Sequence, residues 1–192
     1  MGRVSFSGLL NNGRTDMPII GEGVEPGREA KLGTFLRMAA GRQLADHDHF
    51  GMILGEGIAR SLQLFPGSRV TLVASSVGGA LNTLDMEVVG VFQSFSKEFD
   101  ARAVRIPLAA AHELLANDGI NTVVVSLRRT PDTNRIAAEL SRRLDRERYE
   151  VKTWYQINDF YEKAVDLYER QFAVLNVIIL VMVLLSVANS VN

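Results

Sequence analysis

Asp46-His47-Asp48-His49 is the densest run of chemistry-bearing side chains in this sequence. Alternating imidazole and carboxylate groups could coordinate a divalent metal, since both are good ligands for such ions. Alternate residues share a face only on a strand, however, and this run falls between a glycine-containing stretch and the start of an expected strand at Met52. A solvated loop is the simpler reading, because no third ligand cluster accompanies it. The remaining histidine, His112, lies in AAAHELL on an expected helix and reads as a surface or boundary residue. With 3 histidines and no cysteine, nucleophilic triads have few possible members, and disulfides, thiol nucleophiles and zinc-thiolate sites are excluded.

Two glycine-rich pieces, GEGVEPG (Gly21 to Gly27) and SSVGGAL (Ser75 to Leu81), could present backbone amides to a phosphate. Neither carries the Lys-Ser/Thr that completes a P-loop, so turn glycines explain both and the chain is not expected to be an ATPase itself. The arginines of the stretch Arg135, Arg142, Arg143, Arg146 and Arg148 are interleaved with Glu139, Asp145 and Glu147, as on a solvated helix face. No catalytic, cofactor or metal residue is assigned.

Composition describes an ordinary folded chain with no disordered or low-complexity bias. Its 192 residues are 47% hydrophobic and 22% charged, with 21 basic against 22 acidic side chains. That balance gives no overall field to attract nucleic acid. Met1-Gly2-Arg3 leads into VSFSGLL, too short for the apolar core of a secretion signal, and the start reads as the boundary of a piece of a longer protein.

The elements that would position these groups follow from the hydrophobic pattern. Val4 to Leu9 alternates as a half-buried strand. The next 23 residues, NNGRTDMPIIGEGVEPGREAKLG, hold five glycines and two prolines and read as an irregular connection before a short helix near Glu29 to Ala39. Strands are expected at Met52 to Leu54, Arg69 to Ala74, Met86 to Phe92 and Ala103 to Ile106, with helices at Glu56 to Leu64 and, opened by Pro107, Leu108 to Ala116. Thr122 to Leu127 (TVVVSL) and Tyr149 to Trp154 (YEVKTW) read as strands flanking a helix from Asn134 to Arg146, a compact βαβ-type unit. The fold class is therefore α+β with two lobes: a split-βαβ-like lobe, residues 1–49 and 117–157, and an inserted β-rich lobe, residues 50–116.

From Asn158 to the end nothing breaks a helix, and Asn158 can cap its start. The first half is amphipathic: Phe160, Ala164, Leu167, Tyr168 and Phe172 recur at three and four, against Glu162, Lys163, Asp166, Glu169 and Arg170. After Arg170 no charged side chain follows among the last 22 residues. A twenty-residue helix spans about 30 Å, close to the hydrocarbon thickness of a bilayer. Residues 158–192 thus read as a stalk helix continuing into a truncated transmembrane span, one rod of near 50 Å at about 1.5 Å per residue.

The order GVEPGREA, then LRMAAGRQLADHDHFGMILGEGIARSLQLFPGSRVTL, then MEVVGVFQSFSKEFDARAVRIPLAAAHELL, then a membrane helix, resembles the extracytoplasmic core domain of the FtsX-like ABC-transporter permeases. These include the lipoprotein-releasing permeases and the macrolide exporter. Gly23-Val24-Glu25-Pro26, the Ile53 to Ala59 run, Val89 to Phe92, Phe99-Asp100 and Ile106-Pro107-Leu108 carry it most clearly, over nearly the whole chain. The resemblance implies a domain between two membrane spans at the bacterial inner membrane, on its periplasmic side. It implies a second permease copy or paralogue, a cytoplasmic ABC ATPase subunit, membrane lipid, and a lipoprotein or periplasmic adaptor as partners, with no nucleic acid and no cofactor. ATP-driven motion would be transmitted to a periplasmic task such as lipoprotein release. On that basis the apolar flank Phe160, Leu167, Tyr168, Phe172 and Leu175 is the expected cargo or helix contact. Two other classes share parts of the pattern: an extracytoplasmic ligand-sensing domain of a membrane receptor, and a metal hydrolase built on Asp46 to His49.

Overall fold

A computed structural model describes residues 1–32, 36–76, 78–157, 168–180 and 182–183. The chain divides into two compact units, Met1–Ser126 and Leu127–Asn192. The architecture is α+β, as the pattern predicts.

In the first unit, strands β1 (Gly2–Asn11), β2 (Asp16–Val24), β4 (Gly51–Gly55), β5 (Arg69–Ser75), β6 (Leu81–Gln93) and β7 (Ala103–Pro107) pair in the order β2-β7-β4-β6-β5-β1, and β1 pairs back onto β2. The six strands thereby close into a ring in which each has a neighbour on both sides over part of its length. Strand β3 (Arg37–Gly41) adds to β6 outside the ring, and the short β8 (Thr122–Val123) to the start of β1. Inward-facing residues alternate along each strand: Phe6 and Leu10, Ile19, Met52 and Leu54, Val70 and Leu72, Met86 and Val88, Val104 and Ile106. The core they form is completed by Ile58, Ala59 and Leu62 of helix α2 (Glu56–Leu62) and by Ala110, Ala111 and Leu114 of α4 (Leu108–Leu115). A smaller apolar cluster, Val24, Leu44, Ile53, Phe92 and Ala103, lies outside it.

This ring corrects two expectations. The connection after β1 is not irregular: β2 is a nine-residue strand in register with β1 from Val4 opposite Gly23 to Asn11 opposite Asp16. Its turn-like residues each fit locally. Ile20 N donates to Arg102 O of the β7 side, so Pro18, two residues earlier, directs its missing N–H toward the same side before the β7 pairing begins at Ile20. Gly21 lies under the Phe6 ring, where an added Cβ would come within 2.1 Å of Cζ. The second correction concerns the lobes. Strands from residues 2–24 and from 51–107 share the ring, because β7 pairs in parallel with β2, so residues 50–116 do not stand apart from 1–49.

The helix expected over Glu29 to Ala39 is replaced by α1 (Pro26–Glu29), a 3-10 turn (Ala30–Leu32) and then β3, whose Met38 packs on the outer apolar cluster. Helix α3 (Lys97–Asp100) is capped by Ser96, whose Oγ accepts from Phe99 N. It seats on Gly55 and Gly57: a Cβ would come within 2.2 Å of Asp100 O at the first and within 2.7 Å of Ala101 Cα at the second. In the second unit, α5 (Thr133–Arg143) is present, but Tyr149 to Trp154 is not a strand. Thr153 instead starts α6 (Trp154–Ile157), its carbonyl accepting from Gln156 N at 3.1 Å and its N–H donating to Gln156 Oε1 at 2.9 Å. TVVVSL is likewise a strand only at Thr122 and Val123, with Val124 exchanging backbone hydrogen bonds with Met1.

Candidate functional site

The residues singled out by their chemistry separate into a loop clamp, an open groove, a buried ion cluster and an apolar helix. In the clamp, Arg42 Nη1 and Nη2 donate to Asp48 Oδ2 and Oδ1 at 2.6 and 2.7 Å, a two-pronged pair. Asp48 Oδ2 also accepts from Ala45 N at 2.8 Å, and Asp46 Oδ1 from Gly27 N at 2.7 Å. Both carboxylates thus fasten loops, while the His47 side chain is 79% exposed. Among the described residues no group of three His, Cys, Asp or Glu side chains is placed to hold a metal ion.

The hydrogen bonds from Arg42 hold the Asp48 carboxyl down to about 2, against an opposing push from burial and with help from the Ala45 amide. Because the folded-state value lies below the unfolded one, this contribution is present above about pH 4 and is lost as pH falls through about 2. Asp48→Asn is therefore expected to cost only about 1 kcal/mol near neutrality, Arg42 being half exposed, and to flatten the acid limb of a Tm-against-pH curve between about pH 4 and 2. An acid limb identical to wild type would show that the pair does not fasten the loop.

Beside this clamp runs an open groove of about 690 Å³, lined by Asn11 and Asn12, by the histidines His47 and His49, and by Arg69 and Glu87 among others. Thr71 Oγ1 donates to Asp85 Oδ1 at 2.7 Å on its floor. His112, on α4, is half-buried, and its Nε2 has no hydrogen-bond partner among the described residues.

The buried ion cluster was not anticipated from sequence. Arg105, on β7, donates from Nε to Glu22 Oε2 of β2 at 2.9 Å and from Nη1 to Glu29 Oε1 of α1 at 3.1 Å. Arg3, on β1, donates from Nη2 to the same Glu29 Oε1 at 2.7 Å and lies 3.9 Å from Glu22 Oε1. Arg105 and Glu29 side chains are each only 10% exposed. Arg3, Glu22 and Arg105 all sit at outward-facing positions of three adjacent ring strands, Glu22 and Arg105 in direct register. Alternating + − + charges across a sheet are mutually favourable. Each residue alternates with apolar neighbours in its own strand; the missing signal was that strands 83 residues apart pair.

Of the expected apolar flank, Tyr168, Phe172 and Leu175 are helical and exposed; Phe160 and Leu167 lie outside the described residues. Val177, Ile178, Ile179 and Leu180, four consecutive helical residues, are each 50% or more exposed. Among the described residues no helix is long and apolar enough to cross a membrane.

The fold of a closed strand ring plugged by two helices is shared with a transporter's extracellular domain. The chain is similar to the crystal structure of the extracellular domain of the ABC-type transporter YknZ from Gram-positive bacteria, with a TM-score of 0.56 and 16% identity over 79% of each chain. No match is found among curated proteins. The model of the MacB-like periplasmic core domain matches residues 2–143, and the chain belongs to that family.

Proposed function

We propose that this chain is the periplasmic domain of an inner-membrane ABC-transporter permease that couples cytoplasmic ATP hydrolysis to a periplasmic task by mechanical transmission, with lipoprotein release as that task. The observation that carries the reading is the family match over residues 2–143, supported by a fold shared with a transporter's extracellular domain. ATP hydrolysis belongs to a partner subunit or domain, and two permease copies or paralogues act together. The stalk formed by residues 158–192 joins the domain to the bilayer, and Phe160, Leu167, Tyr168, Phe172 and Leu175 form the cargo contact at its outer end. An apolar helix surface is the chemistry a lipidated cargo requires, since each buried CH₂ contributes about 0.8 kcal/mol.

Photo-crosslinkers placed singly at these five positions in the full-length complex are expected to capture lipoprotein during ATP turnover. Capture of no cargo by a complex that turns over ATP would overturn the lipoprotein reading. A full-length chain that neither associates with an ATPase nor stimulates one would overturn the transporter reading.

A further inference from the structure

The short helix α1 and the turn that follows it run along the outside of the ring, and over residues 26–31 no apolar side chain is fully buried, Pro26 being half-buried. Glu29 is the one buried side chain of α1, and Arg28, Ala30 and Lys31 are exposed. Packed segments of this kind are normally held by buried hydrocarbon; here the anchors are polar. Glu29 enters the Arg3–Arg105 pair, Gly27 N donates to Asp46, and Glu25 Oε1 accepts a long 3.4 Å bond from Gly2 N. The Gly27 seat is close-fitting, since a Cβ there would come within 2.4 Å of Asp46 Oδ2.

The principal anchor is also incompletely satisfied. Both arginines converge on Glu29 Oε1, whereas Glu29 Oε2 and Arg3 Nε are buried with no hydrogen-bond partner among the described residues. A buried charged network with open valences recovers only part of its desolvation cost, and its balance against an opened, hydrated state is correspondingly fine. The ring beneath is of the opposite character: Leu54, Leu72 and Val88 are fully buried in a closed ladder. Local opening free energies follow such differences in buried apolar contact.

We infer that Pro26–Lys31 is an ion-latched strap that opens as a unit while the strand ring stays folded, pinned by Glu29 between Arg3 and Arg105 and by Gly27 on Asp46. Opening uncovers two guanidiniums and the Glu22 carboxylate on the outer face of β1, β2 and β7. The inference is independent of which cargo the domain serves.

Hydrogen–deuterium exchange of the whole chain tests it through the amides of Arg28 and Glu29, both bonded to Glu25 O, against those of β6. In the unmodified chain the strap amides are expected to exchange at least tenfold faster than those of β6, a gap of about 1.4 kcal/mol or more in opening free energy. Glu29→Gln and Asp46→Ala are each expected to speed the strap about tenfold further, and β6 by no more than the same factor, so that the strap still exchanges first. Asp46→Ala keeps the test decisive if Glu29→Gln loosens the whole unit, because Asp46 lies outside the ion cluster. Strap amides that exchange together with β6 in the unmodified chain, or that stay unmoved in Asp46→Ala, would overturn the inference.

Discussion

Arg105→Ala is expected to lower the stability of the first unit by about 3–5 kcal/mol, the range for removing one partner from a buried ion pair. The truncation leaves Glu22 and Glu29 facing the single guanidinium of Arg3, which reaches Glu22 only at 3.9 Å. Two carboxylates then share one cation in a site where Glu29 is 10% exposed, and water cannot substitute for the lost partner without opening the strap. At about 2–4 °C per kcal/mol for a chain of this size, the melting transition of the ring should fall by about 6–20 °C, followed by far-ultraviolet circular dichroism. Arg105→Lys separates charge from geometry: one ammonium cannot reproduce the donation from Nε and Nη1 to two different carboxylates, so it should recover only part of the loss. The double change Arg105→Met with Glu22→Leu should recover more than Arg105→Ala does, since it removes a charge of each sign and refills the volume. A melting point for Arg105→Ala within about 2 °C of wild type would mean that the cluster is hydrated and contributes little, like the half-exposed Arg42–Asp48 pair.

The same ion cluster shows where sequence reasoning stops. Strands β4, β5, β6 and β7 were legible because alternation places Met52 and Leu54, Val70 and Leu72, Met86 and Val88, and Val104 and Ile106 on one face each. Helices α2 and α4 were legible from their apolar spacing, and α4 also from the proline before it. Strand β2 was not, because Pro18, Gly21 and Gly23 carry turn signals whose local cost disappears only in the folded context: beside a ring edge not yet paired at Pro18, and beneath the Phe6 ring at Gly21. The opposite error arose at Tyr149 to Trp154, where β-favouring residues have no ladder partner among the described residues and Thr153 begins a helical turn instead. Ring closure depends on the parallel pairing of β2 with β7, and no periodicity within either strand encodes it. The Asp46 to His49 run was visible as titratable chemistry, but its work depends on Arg42 and Gly27, which turn both carboxylates into fasteners. The family resemblance did not supply the pairing of β2 with β7 either; Gly23-Val24-Glu25-Pro26 and Ile106-Pro107-Leu108, which helped carry the resemblance, lie at the ends of those paired strands, beside the ion cluster.

The second large effect expected is on the final helix. Successive residues of an α-helix are about 100° apart, so Val177, Ile178, Ile179 and Leu180, each at least half exposed, sample nearly the whole circumference. A helix packed on a protein surface hides one stripe; here apolar side chains point in every direction sampled. The sequence beyond Met182 continues with Val183, Leu184, Leu185 and Val187, without a charge to Asn192. Under the proposed function this segment is surrounded by lipid, and an arginine near its centre costs about 2.5–3.5 kcal/mol of insertion free energy. Ile178→Arg should therefore reduce the membrane-integrated fraction of the full-length protein by about two orders of magnitude in the insertion equilibrium, measured by glycosylation mapping or alkaline extraction. The melting of the strand ring should not change, because residue 178 belongs to the other compact unit. Glu169→Arg, on the charged part of the helix, is the control, since one more charge there enters a surface already wet. If Ile178→Arg integrates as efficiently as wild type, lipid does not surround this segment, and the stalk would have to deliver its motion through protein contacts instead.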